Sequence, residues 1–281
     1  MAGRGEAQHG AGGWRPHVEA GLTHTAQALR FYSRLPVPAL PWETDPHALP
    51  DFRTLSRALP LAGLVIGLVP ALVLALSLWL DLGAWLSAAL GVAALTLATG
   101  AFHEDGLADT ADGFGGGATR ERRLVIMKDS LIGSFGGSAL VLGFALRIGA
   151  LATVASRLDA APAAAAVLIA AVVSRCAGLI VLTLLPPARL EGASFAVGQP
   201  NRADLHVAWA GAVGIALALG LAASLPIAGV SLMILLPVAV ALGITRVSDR
   251  LIGGQTGDVA GAIQQLAEVA ALIGLLTVLK P

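Results

Sequence analysis

The stretch FHEDGLADTADGFGGG (102–117) concentrates carboxylates in a chain that is otherwise poor in charge. Drawn as a helix that continues the apolar run before it, it puts Asp105, Asp109 and Asp112 at i, i+4 and i+7, within an arc of about 60°. Three carboxylates on one stripe repel one another unless a cation lies between them. An oxygen-only set suits Mg²⁺ or Mn²⁺, and Mg²⁺ commonly bridges protein carboxylates to substrate phosphates. Glu104 adjoins the stripe as a further candidate ligand, and His103 as a candidate base. A plain acidic helix end in solvent is the alternative. The single stripe, and the glycines that let a ligand approach the backbone, favour the metal.

Two more polar clusters border apolar runs. In MKDSLIGSFGG (127–137), Lys128 offers a point charge to a phosphate, Asp129 follows it, and the small residues offer backbone N–H groups to an anion. In GGQTGD (253–258), a helix start is expected, with Asp258 as its cap and Thr256 as the alternative. A cap alone does not need Gln255 and Thr256 between glycines, which points to ligand contact. Arg147 and Arg175 fall inside apolar runs. An intramembrane arginine needs a partner or an aqueous cavity, so Arg175, in Ser174-Arg175, is a candidate phosphate ligand, and Arg147 is expected to pair or snorkel. The remaining histidines have no metal-ligand spacing.

Something long and apolar must position these clusters. The chain has 281 residues, 56% of them hydrophobic and only 13% charged, with mean hydropathy +0.78. Soluble domains carry about 25% charged residues. Positions 58–80 and 82–102 are free of charge, as are the 39 residues from Val207 to Thr245. About 20 apolar residues cross a hydrocarbon core, so these runs, with 137–156, 162–185 and 259–279, predict an all-α polytopic bundle of about seven spans, six to eight being allowed. Segments 1–57, 103–137, 186–206 and 246–258 alternate on one side and hold 14 of the 18 lysines and arginines. That bias puts the N-terminus and the motif loops in the cytoplasm.

The expected organisation is a cytoplasmic segment 1–57 followed by a transmembrane catalytic domain 58–281. Residues 1–16 lack the apolar core of a signal peptide and read as disordered; 17–34 read as a helix on the membrane surface or packed on the bundle. The net charge of zero gives no sign of a nucleic-acid partner. The lone Cys176 cannot form an intramolecular disulfide and reads as a small apolar residue.

In this order and separated by apolar runs, RLPVP, FHEDGLADTADG, IMKDSLIGSFGG, SR and GGQTGD resemble the motifs of the cobalamin synthase family, the adenosylcobinamide-GDP ribazoletransferases. SLIGSFG departs from a more usual serine-arginine-x-glycine-threonine form and removes a basic residue near Lys128. The resemblance implies a membrane transferase that joins adenosylcobinamide-GDP to α-ribazole or its 5′-phosphate with Mg²⁺, releasing GMP. It implies Asp105, Asp109, Asp112 and Glu104 at the metal, and Lys128, Arg175, Gln255 and Thr256 on substrate phosphates. Asp105, Asp129, Asp258 and His103 would then serve the chemistry. Other diphosphate-cleaving membrane transferases, of the CDP-alcohol or prenyl type, share such metal chemistry. The first lack a match in the arginine expected where Asp109 stands, the second in a separate second Asp-rich motif. An ion-coupled transporter would want acids at mid-membrane and repeated halves.

Overall fold

A computed structural model describes residues 14–191 and 193–280. Its helices are α1 (Arg15–Tyr32), α2 (Phe52–Leu55), α3 (Leu59–Trp79), α4 (Ala84–Thr99), α5 (Phe102–Gly116), α6 (Arg120–Ile126), α7 (Ser134–Arg157), α8 (Ala160–Leu184), α9 (Ala193–Ala196), α10 (Arg202–Ala222), α11 (Ile227–Ile252) and α12 (Gly257–Leu276). No β-strand occurs among the described residues; Pro187 and Gln255 form an isolated bridge. Six helices are long and apolar enough to cross a bilayer, and the α4–α5 pair supplies a seventh crossing if taken together. The protein is a multi-pass helical membrane protein, as composition required.

α8 is the axis of the bundle. Nearly every residue from Ala163 to Thr183 is buried, and α3, α10, α11 and α12 pack around it. The outer helices turn Leu72, Leu97, Val141, Leu142 and Leu235 outward, the apolar surface that lipid covers in the absence of water. Trp79 and Trp85 are exposed at the end opposite the motif loops, where amphipathic rings suit a membrane interface.

The acidic stretch does not continue the preceding span. α4 stops at Gly100, whose φ of 64° is left-handed, and Ala101 follows at φ 58°. That conformation is costly for a residue with a Cβ. The chain turns by 89° and α5 starts afresh at Phe102. α5 is thus an arm set nearly at right angles to α4 at the end of the bundle, while its acids keep the spacing expected of a helix.

At that end the polar segments fasten to one another. Arg120 donates to the carbonyls of Ile252 (2.7 Å) and Ala188 (2.9 Å), and Arg123 to that of Leu251 (3.1 Å). The Gln255 N–H donates to Pro186 O (2.9 Å), and the Ala188 N–H to Gln255 O (2.8 Å). On the N-terminal side the Phe52 N–H donates to Val197 O (2.7 Å). Arg30 holds the proline-rich stretch in place: it forms a two-pronged pair with Glu43 (2.9 Å each) and also donates to Pro38 O (2.7 Å). α1 buries Ala26, Ala28 and Leu29 against the bundle and leaves Val18 and Leu22 exposed. Arg15 and Pro16, expected to be disordered, form its first turn; residues 1–13 of that expectation lie outside the described residues.

Candidate functional site

α5 and α12 meet backbone to backbone at Gly106. A Cβ there would come within 2.8 Å of the carbonyl oxygen of Asp258, so only glycine allows the approach. Asp105 and Asp109 flank Gly106 and are thereby carried up to Asp258. Burial, and then the charges of Asp105, Asp258 and Asp112, push the Asp109 carboxyl up to about 7, against a downward pull from Arg189. Arg189, largely buried, lies 3.5 Å from Asp258, and its Nε makes no hydrogen bond.

Two expected ligands are engaged elsewhere. Asp112 accepts from the N–H of Gly133 (2.7 Å) and of Gly136 (2.8 Å), one on each carboxylate oxygen. It caps α7 from a distance, satisfying amides that a helix start leaves open. A Cβ on Gly136 would stand 2.2 Å from a carboxylate oxygen of Asp112, which explains that glycine in the SFGG motif. Glu104 turns inward to Arg147 (2.7 Å), which also donates to Glu268 (3.1 Å), and Thr96 donates to Glu104 (3.0 Å). The pairing expected of Arg147 is present, and it ties α5, α7 and α12 together.

Among the described residues no three His, Cys, Asp or Glu side chains already stand as a metal-binding group. The donors nonetheless fit Mg²⁺, which is usually held by one or two carboxylates together with substrate phosphates and water. Crowded carboxylates of which one takes up protons near neutrality are what a divalent ion relieves. Asp105 and Asp109 are free to serve such an ion with Asp258 beside them, whereas Asp112 and Glu104 of the expected set are engaged in hydrogen bonds.

The other expected residues are spread out. Lys128 is exposed and pairs with Glu191. Asp129 is exposed too, accepting from the Leu131 N–H (3.1 Å). Thr256, not Asp258, caps α12 by accepting from the Val259 N–H (3.3 Å), which leaves the Asp258 carboxylate free of that duty. The Gln255 side chain is buried, and its Oε1 makes no hydrogen bond. His103 lies 180° around α5 from Asp112. Its ring stacks on Tyr32 at 5.7 Å and 7°, facing away from the acids.

That second side of α5 closes a small cavity walled by Phe31, Tyr32, Phe52 and Phe102, with Arg175 and Gln264 among its lining. Arg175 is 3% exposed; its Nη1 donates to Ala171 O (2.9 Å), while Nε and Nη2 make no hydrogen bond. Arg189, Tyr32 and Gln264 escaped the sequence reading. Arg189 is a lone arginine in a loop with no spacing to mark it, and the other two matter only through helices distant in sequence.

A lipid-embedded helical bundle that gathers carboxylates, arginines with unused N–H donors and an aromatic cavity at one end has the make-up of a membrane enzyme for phosphorylated substrates. The family model for cobalamin-5-phosphate synthase matches residues 24–276, and the chain belongs to that family. It is 51% identical over 261 residues to an adenosylcobinamide-GDP ribazoletransferase from Azorhizobium caulinodans, covering 92% of this chain and 97% of that one. It is 48% identical over 252 residues to one from Xanthobacter autotrophicus, covering 89% and 94%. A relative of the same name from Sinorhizobium medicae is 42% identical over 247 residues, covering 88% and 93%. No solved structure matches the chain. The expected family is thus the right one, and the protein is an enzyme of cobalamin synthesis.

Proposed function

We propose that this protein is a Mg²⁺-dependent transferase of the bacterial cytoplasmic membrane that joins adenosylcobinamide-GDP to α-ribazole or its 5′-phosphate and releases GMP. The names of its relatives support the substrates. The observation that carries the reading is the meeting of Asp105 and Asp109 with Asp258 beside Arg189, across the contact at Gly106. The excess of basic residues in the segments at this end supports a cytoplasmic active site.

In the reaction a ribose hydroxyl oxygen of the acceptor forms a bond to the cobinamide-side phosphorus. The P–O bond to the bridging oxygen breaks, and GMP departs with that oxygen. Asp105 and Asp109 would hold Mg²⁺, which would supply neutralisation of the charge that gathers on the diphosphate. Arg189 offers its unused N–H donors to a non-bridging oxygen, a task suited to a planar guanidinium. Asp258, released from capping, orients the attacking hydroxyl and takes up its proton. Asp112 acts at one remove, by fixing the start of α7 against α5. Lys128 and Asp129, both exposed, are left to meet substrate only as it enters.

Membranes containing the chain, given adenosylcobinamide-GDP and α-ribazole, should form the joined product and release GMP with Mg²⁺, and stop with a chelator. Product formation unaffected by chelator would remove the metal from this account.

A further inference from the structure

A groove of about 360 Å³ lies between α1 and the start of α3, and none of the residues placed at the transferase site lines it. Its polar lining is His17 and His24 from α1, with Arg53, Thr54 and Arg57 from the chain that leads into α3; it includes no Asp or Glu. His17, Gly21 and His24 are four and three residues apart and so share one face of α1. Arg53 pairs with Asp51 (2.8 Å), and Arg57 pairs with the fully buried Asp204. Among the described residues, Nη1 of Arg53 and both terminal nitrogens of Arg57 make no hydrogen bond. Each guanidinium therefore reaches the groove held in place and with donors to spare. Burial, then the Arg57 charge, lowers the pKa of His24 against an upward pull from Asp51. Its imidazole is neutral at neutral pH and can both donate to and accept from hydroxyl groups.

Beyond this polar rim the surface is hydrocarbon. Leu61 lines the groove and begins a stripe of exposed residues, Val65, Leu68, Leu72, Leu76 and Trp79, at intervals of three or four along α3. The stripe is about 27 Å long, close to the thickness of a bilayer's hydrocarbon core. Exposed Trp14, Val18 and Leu22 repeat every four residues from the start of α1, beside the histidines, and suit a membrane interface.

We propose that the groove between α1 and α3 binds an anionic phospholipid, its phosphodiester on Arg53 and Arg57 and an acyl chain along the stripe that starts at Leu61. The headgroup is of the glycerol type, whose hydroxyls His17, His24 and Thr54 meet with hydrogen bonds. A choline or ethanolamine headgroup would bring an ammonium against two arginines, with no carboxylate in the lining to receive it. The groove also lies on the side that the basic residues assign to the cytoplasm, where cationic groups meet anionic lipid. A lipid seated there bridges α1 to α3.

The test uses the full chain in detergent micelles holding equal amounts of phosphatidylglycerol and phosphatidylcholine with matched chains, with retained lipid counted by native mass spectrometry. The unaltered protein should retain phosphatidylglycerol about 5- to 30-fold over phosphatidylcholine, the range for one or two arginines at an anionic headgroup. Arg53→Gln should lower that preference about fivefold. A Cβ on Gly21 meets nothing within 4 Å, so Gly21→Phe should fill the groove without straining the helix and abolish the preference, whereas Gly21→Ala should keep it. Glycerophosphoglycerol, the same headgroup without acyl chains, should not displace the lipid. Equal retention of the two lipids by the unaltered protein, an unchanged preference in Gly21→Phe or Arg53→Gln, a loss in Gly21→Ala as large as in Gly21→Phe, or displacement by the chain-free headgroup would each overturn the assignment.

Discussion

Two arginines lie inside crossing helices, and the difference between them is instructive. Arg147 on α7 is held by carboxylates from α5 and α12 and packs 5.9 Å from the ring of Phe144. Among the described residues Arg175 on the central helix has no carboxylate partner, and it opens onto a cavity. Both are buried, yet the first charge is answered within the protein and the second is left for something to enter. A completed ion network holds elements together, whereas an incomplete one marks a site.

The comparison is broken most directly at Arg147. Arg147→Met strands Glu104 and Glu268 without their cation, and should cost about 3–5 kcal/mol. Thermal unfolding in detergent should show a large drop with little folded protein recovered. Replacing all three, as Glu104→Gln, Arg147→Met and Glu268→Gln, should recover part of the loss. If Arg147→Met melts like the unaltered protein, the triad is not a fastening.

On the side of chemistry, Asp105→Asn or Asp109→Asn should lower kcat by about 10²-fold or more, as expected when support of a metal site is lost. Insertion and melting should change little, because neither carboxylate makes a hydrogen bond among the described residues. GMP release across a Mg²⁺ titration measures it, and near-normal turnover in both variants would dismiss the carboxylate site.

Asp112→Asn should behave in the opposite way to its neighbours on the same stripe. Its role is to cap α7, so the expected cost is about 1–2 kcal/mol of stability, with the loss of activity following the loss of fold. Gly136→Ala should mimic it, since the added methyl enters the space of the Asp112 carboxylate. Activity lost from Asp112→Asn at unchanged melting temperature would return Asp112 to the metal.

The smallest structural effect is expected at Arg175. Arg175→Met removes an unanswered buried charge, so melting without substrate should stay within about 1 kcal/mol of the unaltered protein or rise. A large destabilisation would mean that Arg175, like Arg147, is a fastening.

Much of the architecture was legible because lipid imposes a simple rule. Runs such as 58–80 and 162–185 must be helical, and they are α3 and α8. The carboxylate spacing in 105–112 was also legible, since a helix repeats at a fixed angle whether or not it continues its neighbour. The break at Gly100 and Ala101 was not, because nothing in an apolar run ending at alanine announces a left-handed residue. Nor did spacing separate the duties of the acids. Asp112 faces the amides of α7 and Asp109 faces α12, although they are three residues apart on one stripe.

The sequence by itself determined that this chain lives in a membrane as a helical bundle, that its polar motifs border the crossings, and that Asp105 and Asp109 share a helix face. These follow from composition and from the local geometry of one helix. Tertiary structure alone decided that Asp258 and Arg189 complete the acidic site, that Asp112 and Glu104 serve the fold, and that Arg175 ends a cavity walled by α1. Each of those depends on which helix lies alongside which, and close packing between separate segments leaves no periodic trace in either of them.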